Sequence, residues 1–92
     1  MAHITVPVVD VLMNDGTEHT VLLNLKARLQ WAKTSRARGW DSQDELTGQV
    51  FMVWYCMKQT GAFTGTFEEF EDAAAWMVAH EEAEETELNP TP

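Results

Sequence analysis

A chain of 92 residues with one cysteine, three histidines, one tyrosine and a single basic residue beyond Arg38 is poor in what most enzymes and nucleic-acid binders need. Each shortage excludes something. With Cys56 alone there is no intrachain disulfide, and a thiol set among apolar neighbours behaves as a small hydrophobe suited to a reducing compartment. No apolar stretch reaches the ~18 residues of a membrane-spanning helix. The start, MAHITVPVVDVL, has no basic segment leading into an apolar one with a cleavage site. The expectation is a soluble, unsecreted protein with no membrane partner.

The chemistry-bearing residues are also scattered. His3, His19 and His80 share no metal-ligand spacing with Cys56, and the acids lack the loop pattern and central glycine of a calcium-binding EF-hand. Cys56 lies between Trp54, Tyr55 and Met57, without the electropositive setting of a nucleophile. The pairs Glu68-Glu69 and Glu81-Glu82 read as helix-dipole complements and solvated surface, not as a general acid and base. Gly61 and Gly65 bracket a turn and not a phosphate-cradling loop. Neither enzyme activity nor a metal or cofactor is expected.

Charge is plentiful but unevenly placed. Fifteen acids against six bases give a net charge of -9, a field that repels phosphates and so disfavours nucleic acid. Five of the six bases (Lys26, Arg28, Lys33, Arg36 and Arg38) fall within thirteen positions, while Glu68 to Glu87 holds nine acids and no base. The chain has a basic belt and an acidic end, and the two suggest contact between neighbouring copies.

Local signals order the elements. Ile4 to Val11 is rich in β-branched residues, Asn14-Asp15-Gly16-Thr17 is a turn, and Thr20 to Leu23 is extended, which together predict a hairpin whose Pro7-bearing strand is an edge. Asn24 and Gly39 bound a first helix with Leu25, Leu29 and Ala32 at helical spacing. Asp41 or Ser42 caps a second, with Leu46, Val50, Val53, Trp54 and Met57 as its core stripe and Phe51, Met52 and Tyr55 left over. Thr66-Phe67-Glu68-Glu69 is a capping box for a third. The expected fold is α+β and mainly helical. It has a two-stranded antiparallel β-hairpin at about residues 3–23 and three packed α-helices at about 25–38, 42–60 and 66–80. These form one globular domain over 1–80, and an acidic, disordered tail takes up 81–92.

What remains is binding. Five methionines, four tryptophans and four phenylalanines supply adaptable apolar area, and the acidic surface keeps such a protein in solution while it holds an apolar client. The second helix is apolar around most of its circumference, so it is either central in the fold or covered by another chain. The candidate contacts for a client or for self-association are Trp31, Trp40, Phe51, Met52, Tyr55 and Trp76.

Three segments in order, Leu29-Gln30-Trp31-Ala32-Lys33-Thr34-Ser35-Arg36-Ala37-Arg38-Gly39-Trp40, Phe51-Met52-Val53-Trp54 with Lys58 and Gly61, and Thr66-Phe67-Glu68-Glu69-Phe70, give the chain a family likeness. From about residue 25 to 92 it resembles the tail assembly chaperones of long-tailed, siphovirus-type bacteriophages. The resemblance implies a chaperone that keeps the long, apolar, helical tape measure protein soluble until tail tube subunits polymerise around it. It implies residence in the cytoplasm of the bacterial host and absence from the mature virion. It also implies that this chain is the short form of a pair, the longer one being made by ribosomal frameshifting and recruiting the tail tube protein. No catalytic residue follows from it. The readings left beside it are a small acidic inhibitor that mimics DNA and a structural subunit of the virion.

Overall fold

The computed structural model describes residues 5–83. Along the chain come β1 (Thr5–Met13), β2 (Glu18–Leu22), α1 (Leu25–Arg38), α2 (Glu45–Thr60), α3 (Phe67–Ala73) and β3 (Ala74–Ala83). The strands form one antiparallel sheet in the order β2-β1-β3. The fold is therefore α+β with a three-stranded sheet, which corrects the expectation of a two-stranded hairpin followed by three long helices.

The hairpin closes through Asn14, Asp15 and Gly16. Met13 N–H donates to Thr17 O at 2.8 Å, and Gly16 N–H donates to Met13 O at 2.9 Å. Only Gly16 takes a positive φ, 91°, at the position of a three-residue hairpin loop that demands it. Asp15 Oδ1 accepts from both the backbone N–H and the hydroxyl of Thr17, which holds its carboxyl below the usual range.

The third helix was expected to reach residue 80 and stops at Ala73. Its capping box at Thr66 and Glu69 is present as read from the sequence. Its end is made by the hairpin loop: Asn14 donates its backbone N–H to Ala73 O at 2.8 Å and its side-chain amide to Asp72 O at 2.6 Å. These bonds satisfy carbonyls that a further helical turn would otherwise have used. From Ala74 the chain turns along β1, with Val9 opposite Ala79 and Val11 opposite Met77. Alanine-rich sequence favours helix by a few tenths of a kcal/mol per residue, and a free strand edge with a core beside it outweighs that preference. Glu81 to Ala83, assigned to the tail, continue β3. The remainder of that tail, residues 84–92, and the expected start of the hairpin before Thr5 lie outside the described residues.

β1 is thus the central strand, not an edge, although it contains Pro7. A strand residue points its N–H and C=O to the same side. Pro7 O accepts from Leu23 N–H at 3.0 Å, so the missing donor faces β2 just beyond its last residue, Leu22. No rung of the β1–β3 ladder is lost.

One face of the sheet is covered. Val9, Val11, Met13 and Val21 meet Ala27, Val53, Cys56, Met57 and Phe70 in the main core. α2 and α3 lie on this face, and α1 packs on α2. The Asn24 side chain accepts from Ala27 N–H at 2.8 Å to start α1, and Gly39, at φ 73°, ends it.

The buried faces of α1 and α2 are rotated from those expected. α1 buries Ala27, Trp31 and Ser35, while Leu25 and Leu29 are 69% and 53% exposed. One tryptophan ring covers more area than either leucine, and its place is made by Gly48, where an added Cβ would lie 2.9 Å from Trp31 Nε1. α2 buries Gly48, Phe51, Val53, Cys56 and Met57, leaving Leu46 70% exposed.

This assignment of faces is testable by urea denaturation. Trp31→Ala is expected to lower stability by about 3–5 kcal/mol, the cost of emptying a core aromatic site. Leu29→Ala should change it by less than about 0.5 kcal/mol. The reverse ranking would return the leucines to the core.

Candidate functional site: an aromatic cluster and two apolar grooves

α1, α2 and the start of α3 converge on a second, smaller core of Trp31, Phe51 and Phe67. Their rings are close: Trp31 to Phe51 5.6 Å, Phe51 to Phe67 5.5 Å, Phe51 to Trp54 5.3 Å and Trp40 to Phe67 5.7 Å between centroids. Trp40 is brought back onto the cluster by the end of α1, where its N–H donates to Ser35 O at 2.8 Å. Trp54 is fixed from the other side, its indole N–H donating to Gly65 O at 3.0 Å.

A groove of about 300 Å³ opens over this cluster, with Trp40, Trp54 and Tyr55 in its wall and Phe51 and Phe67 at its base. Two cations rest on its aromatics: Arg38 Cζ lies 4.9 Å from the centre of Trp40 and Lys58 Nζ 5.3 Å from Trp54. Arg38 also pairs with Glu68 at 3.0 Å. The Glu68 carboxyl is held below its usual range, first by its own backbone N–H and then by Arg38.

A second groove, of about 430 Å³, runs between α2 and β3. Leu46, Val50, Ala74, Ala75, Trp76 and Met77 line it, with Gln49 and Glu71. Trp76, 70% exposed, and Leu46 stand over this groove as large apolar side chains that the described fold does not cover.

The six contacts read from the sequence are divided among these places. Trp31 and Phe51, at 7% and 3% exposure, are core, and shape the first groove from beneath. Trp40 and Tyr55 are half-buried and line it. Met52 lies on the opposite flank of α2, beside Trp31, Ala32 and Arg28. Trp76 belongs to β3 and to the second groove, not to the third helix on which it was expected. Leu46 and Trp54 were assigned to the core stripe, so their part in the grooves was missed; Leu46, in the first turn of α2, is 70% exposed.

Among the described residues the titratable groups form no reactive constellation. Burial pushes the Cys56 thiol up from its usual value, which favours the unreactive thiol form. Among the described residues, no three His, Cys, Asp or Glu side chains gather into a possible metal site. No helix there is long and apolar enough to cross a membrane. What the site can do is hold apolar surface. Comparisons with protein-family models, with curated proteins and with solved structures find no match for this chain.

Two measurements follow from this geometry. Gly48→Ala should lower the thermal midpoint although alanine is the better helix former, because the gain of about 1 kcal/mol in propensity is smaller than the strain of driving Trp31 off α2. Glu68 has a depressed pKa in the fold, so its contribution exists above its unfolded value and disappears as pH falls through the folded one. The stability gap between the protein and Glu68→Gln should accordingly be present at neutral pH and close below a pH of about 4. A gap independent of pH would show that the Arg38 pairing contributes nothing.

Proposed function

We propose that this chain is a tail assembly chaperone of a long-tailed bacteriophage, which holds apolar helical segments of a tape measure protein in solution until the tail tube forms around them. The observation that carries the reading is the meeting of the three segments behind the family resemblance. Trp31 and Trp40, Phe51 and Trp54, and Phe67 come from separate stretches of sequence and lie in one ring cluster under one groove. A groove walled by tryptophan and tyrosine, with Arg38 and Lys58 stacked at its aromatics, suits an apolar helix laid across it. The net charge of -9 keeps such a complex dispersed.

In this reading Tyr55, Trp40 and Trp54 contact the client, Leu46 and Trp76 offer a second hold, and no residue performs catalysis. The protein acts in the cytoplasm of the infected bacterium, is left out of the finished particle, and reaches the tail tube protein through a longer frameshifted form.

Co-expression with the tape measure protein encoded beside it tests the assignment. The tape measure protein should be insoluble alone and soluble with the chaperone. Tyr55→Asp should reduce the soluble fraction about tenfold while helicity by circular dichroism is unchanged. A tape measure protein that stays insoluble beside the unaltered chain overturns the reading, and full rescue by Tyr55→Asp removes the first groove from the site.

A further inference from the structure

All six bases of the chain stand on the two helices that wall the first groove: Lys26, Arg28, Lys33, Arg36 and Arg38 on α1, and Lys58 on α2. α1 contains no acid and α2 only Glu45, so these helices carry a charge opposite in sign to that of the molecule. Two of the six bases reach the groove, and they end a row of rings. Arg38 Cζ lies 4.9 Å from the centre of Trp40, Trp40 5.7 Å from Phe67, Phe67 5.7 Å from Trp54, and Lys58 Nζ 5.3 Å from Trp54. The outer rings are thus no more than about 11 Å apart, two turns of an α-helix. α1 and α2 run antiparallel, since the Cys56 thiol lies against the Asn24 backbone and the Trp31 ring against Gly48. Arg38, last in α1, and Lys58, in the last turn of α2, therefore stand at opposite ends of the groove.

Charge assigns the occupant. Arg38 shares its charge with Glu68 at 3.0 Å, while Lys58 has no ion pair among the described residues. Both side chains are exposed, and a cation resting on a ring face keeps donors for an incoming carboxylate. The floor between them, Phe51 and Phe67, is apolar. Rings and cations together also suit a nucleic-acid strand. Here, however, Trp40 and Trp54 are tilted by 48° and 62° from Phe67, so the row offers no parallel faces for successive bases, and a net charge of -9 repels phosphates. An acidic, partly apolar peptide matches the groove in both respects.

We infer that the first groove takes an amphipathic helix of another protein in which two acidic residues, seven apart, bound a pair of apolar residues at the third and fourth positions between them. All four side chains then lie on one face of that helix, and its carboxylates are about 10.5 Å apart along the axis, the length of the ring row. One carboxylate meets Lys58. The other meets Arg38, in competition with Glu68, and the apolar pair lies on Phe67 between Trp40 and Trp54. Two antiparallel helices leave a straight furrow of the shape that a third helix fills. The apolar pair supplies affinity and the acids fix the register, so that among the many apolar stripes of a long helical client only those with acids at this spacing are selected. The inference deepens the client reading of this groove and rests on it.

The probe is a synthetic alanine-based helical peptide in which two glutamates seven residues apart bound two leucines. It is titrated into the full, isotope-labelled chain while the tryptophan indole signals are followed by NMR. The signals of Trp40 and Trp54 should shift and that of Trp76 stay in place. Replacing both glutamates by glutamine should weaken binding about tenfold, a difference that salt narrows. Lys58→Glu should reverse the preference, so that a lysine version of the peptide binds more tightly than the glutamate one. Lys58→Gln is the second variant if circular dichroism shows the first unfolded, and it should cut the tenfold difference to about threefold. Equal binding of the glutamate and glutamine peptides overturns this inference and leaves the client reading to the co-expression experiment. No binding by either peptide, shifts confined to Trp76, or an unchanged preference in folded Lys58→Glu overturns it as well. So does displacement of the glutamate peptide by a thymidine oligonucleotide, which puts nucleic acid in the groove.

Discussion

Strand β1 has two hydrogen-bonding edges, and both are occupied. Everything else in the fold is arranged around that fact. Its neighbour β2 arrives by a three-residue loop, the cheapest closure available, whereas β3 arrives from the far end of the chain after three helices. Closing so long a loop costs entropy that grows only slowly with length, so the distant strand is not ruled out. Its return is directed by Asn14, which ends α3 and sits at the corner where β1 turns into β2. A two-stranded ribbon alone is marginal in water, and the third strand supplies the width on which α2 and α3 rest.

On that platform α2 does two jobs with two sides. Toward the sheet it presents Val53, Cys56 and Met57, and these are simply core. Toward α1 and α3 it presents Phe51, around which Trp31, Trp40, Trp54, Tyr55 and Phe67 are gathered. The apolar run Val50 to Met57 is therefore consumed mainly by internal packing on two sides, with Val50 at the edge of one groove and Phe51, Trp54 and Tyr55 at the other. Large rigid rings suit such margins because they offer area at little cost in side-chain entropy.

Much of this was legible in the sequence wherever the signal was local. The hairpin loop at Gly16, the caps Asn24, Gly39 and Gly61 and the capping box at Thr66 all depend on neighbours within a few residues, and all are where the chain places them. The start of α2 moved to Asp44 because that carboxylate, and not Asp41, accepts from the Thr47 N–H and hydroxyl. β3 was not legible locally, since Ala73-Ala74-Ala75 favours helix and only a strand edge elsewhere overrules it. One non-local sign did exist. Val8, Val9, Val11, Leu12 and Met13 are apolar on both sides of β1, the pattern of a central strand and not of an edge. The grooves were hidden for a different reason: helical spacing gives a periodicity but not a phase, and the phase of α1 was set by one close approach, the Trp31 ring over Gly48.

The composition of α1 then acquires a physical meaning. A solvated helix gains from acids in its first turn and from acid–base pairs four residues apart. α1 has neither: its first turn contains Lys26 and no acid, Lys33 and Arg36 repel at neighbouring positions, and its leucines face outward. In a chain with fifteen acids, keeping all of them off this one helix works against its stability as an isolated surface. What holds α1 is therefore its two ends and one ring: Asn24 accepts from Ala27 N–H, Gly39 closes the last turn, and Trp31 packs over Gly48 of α2.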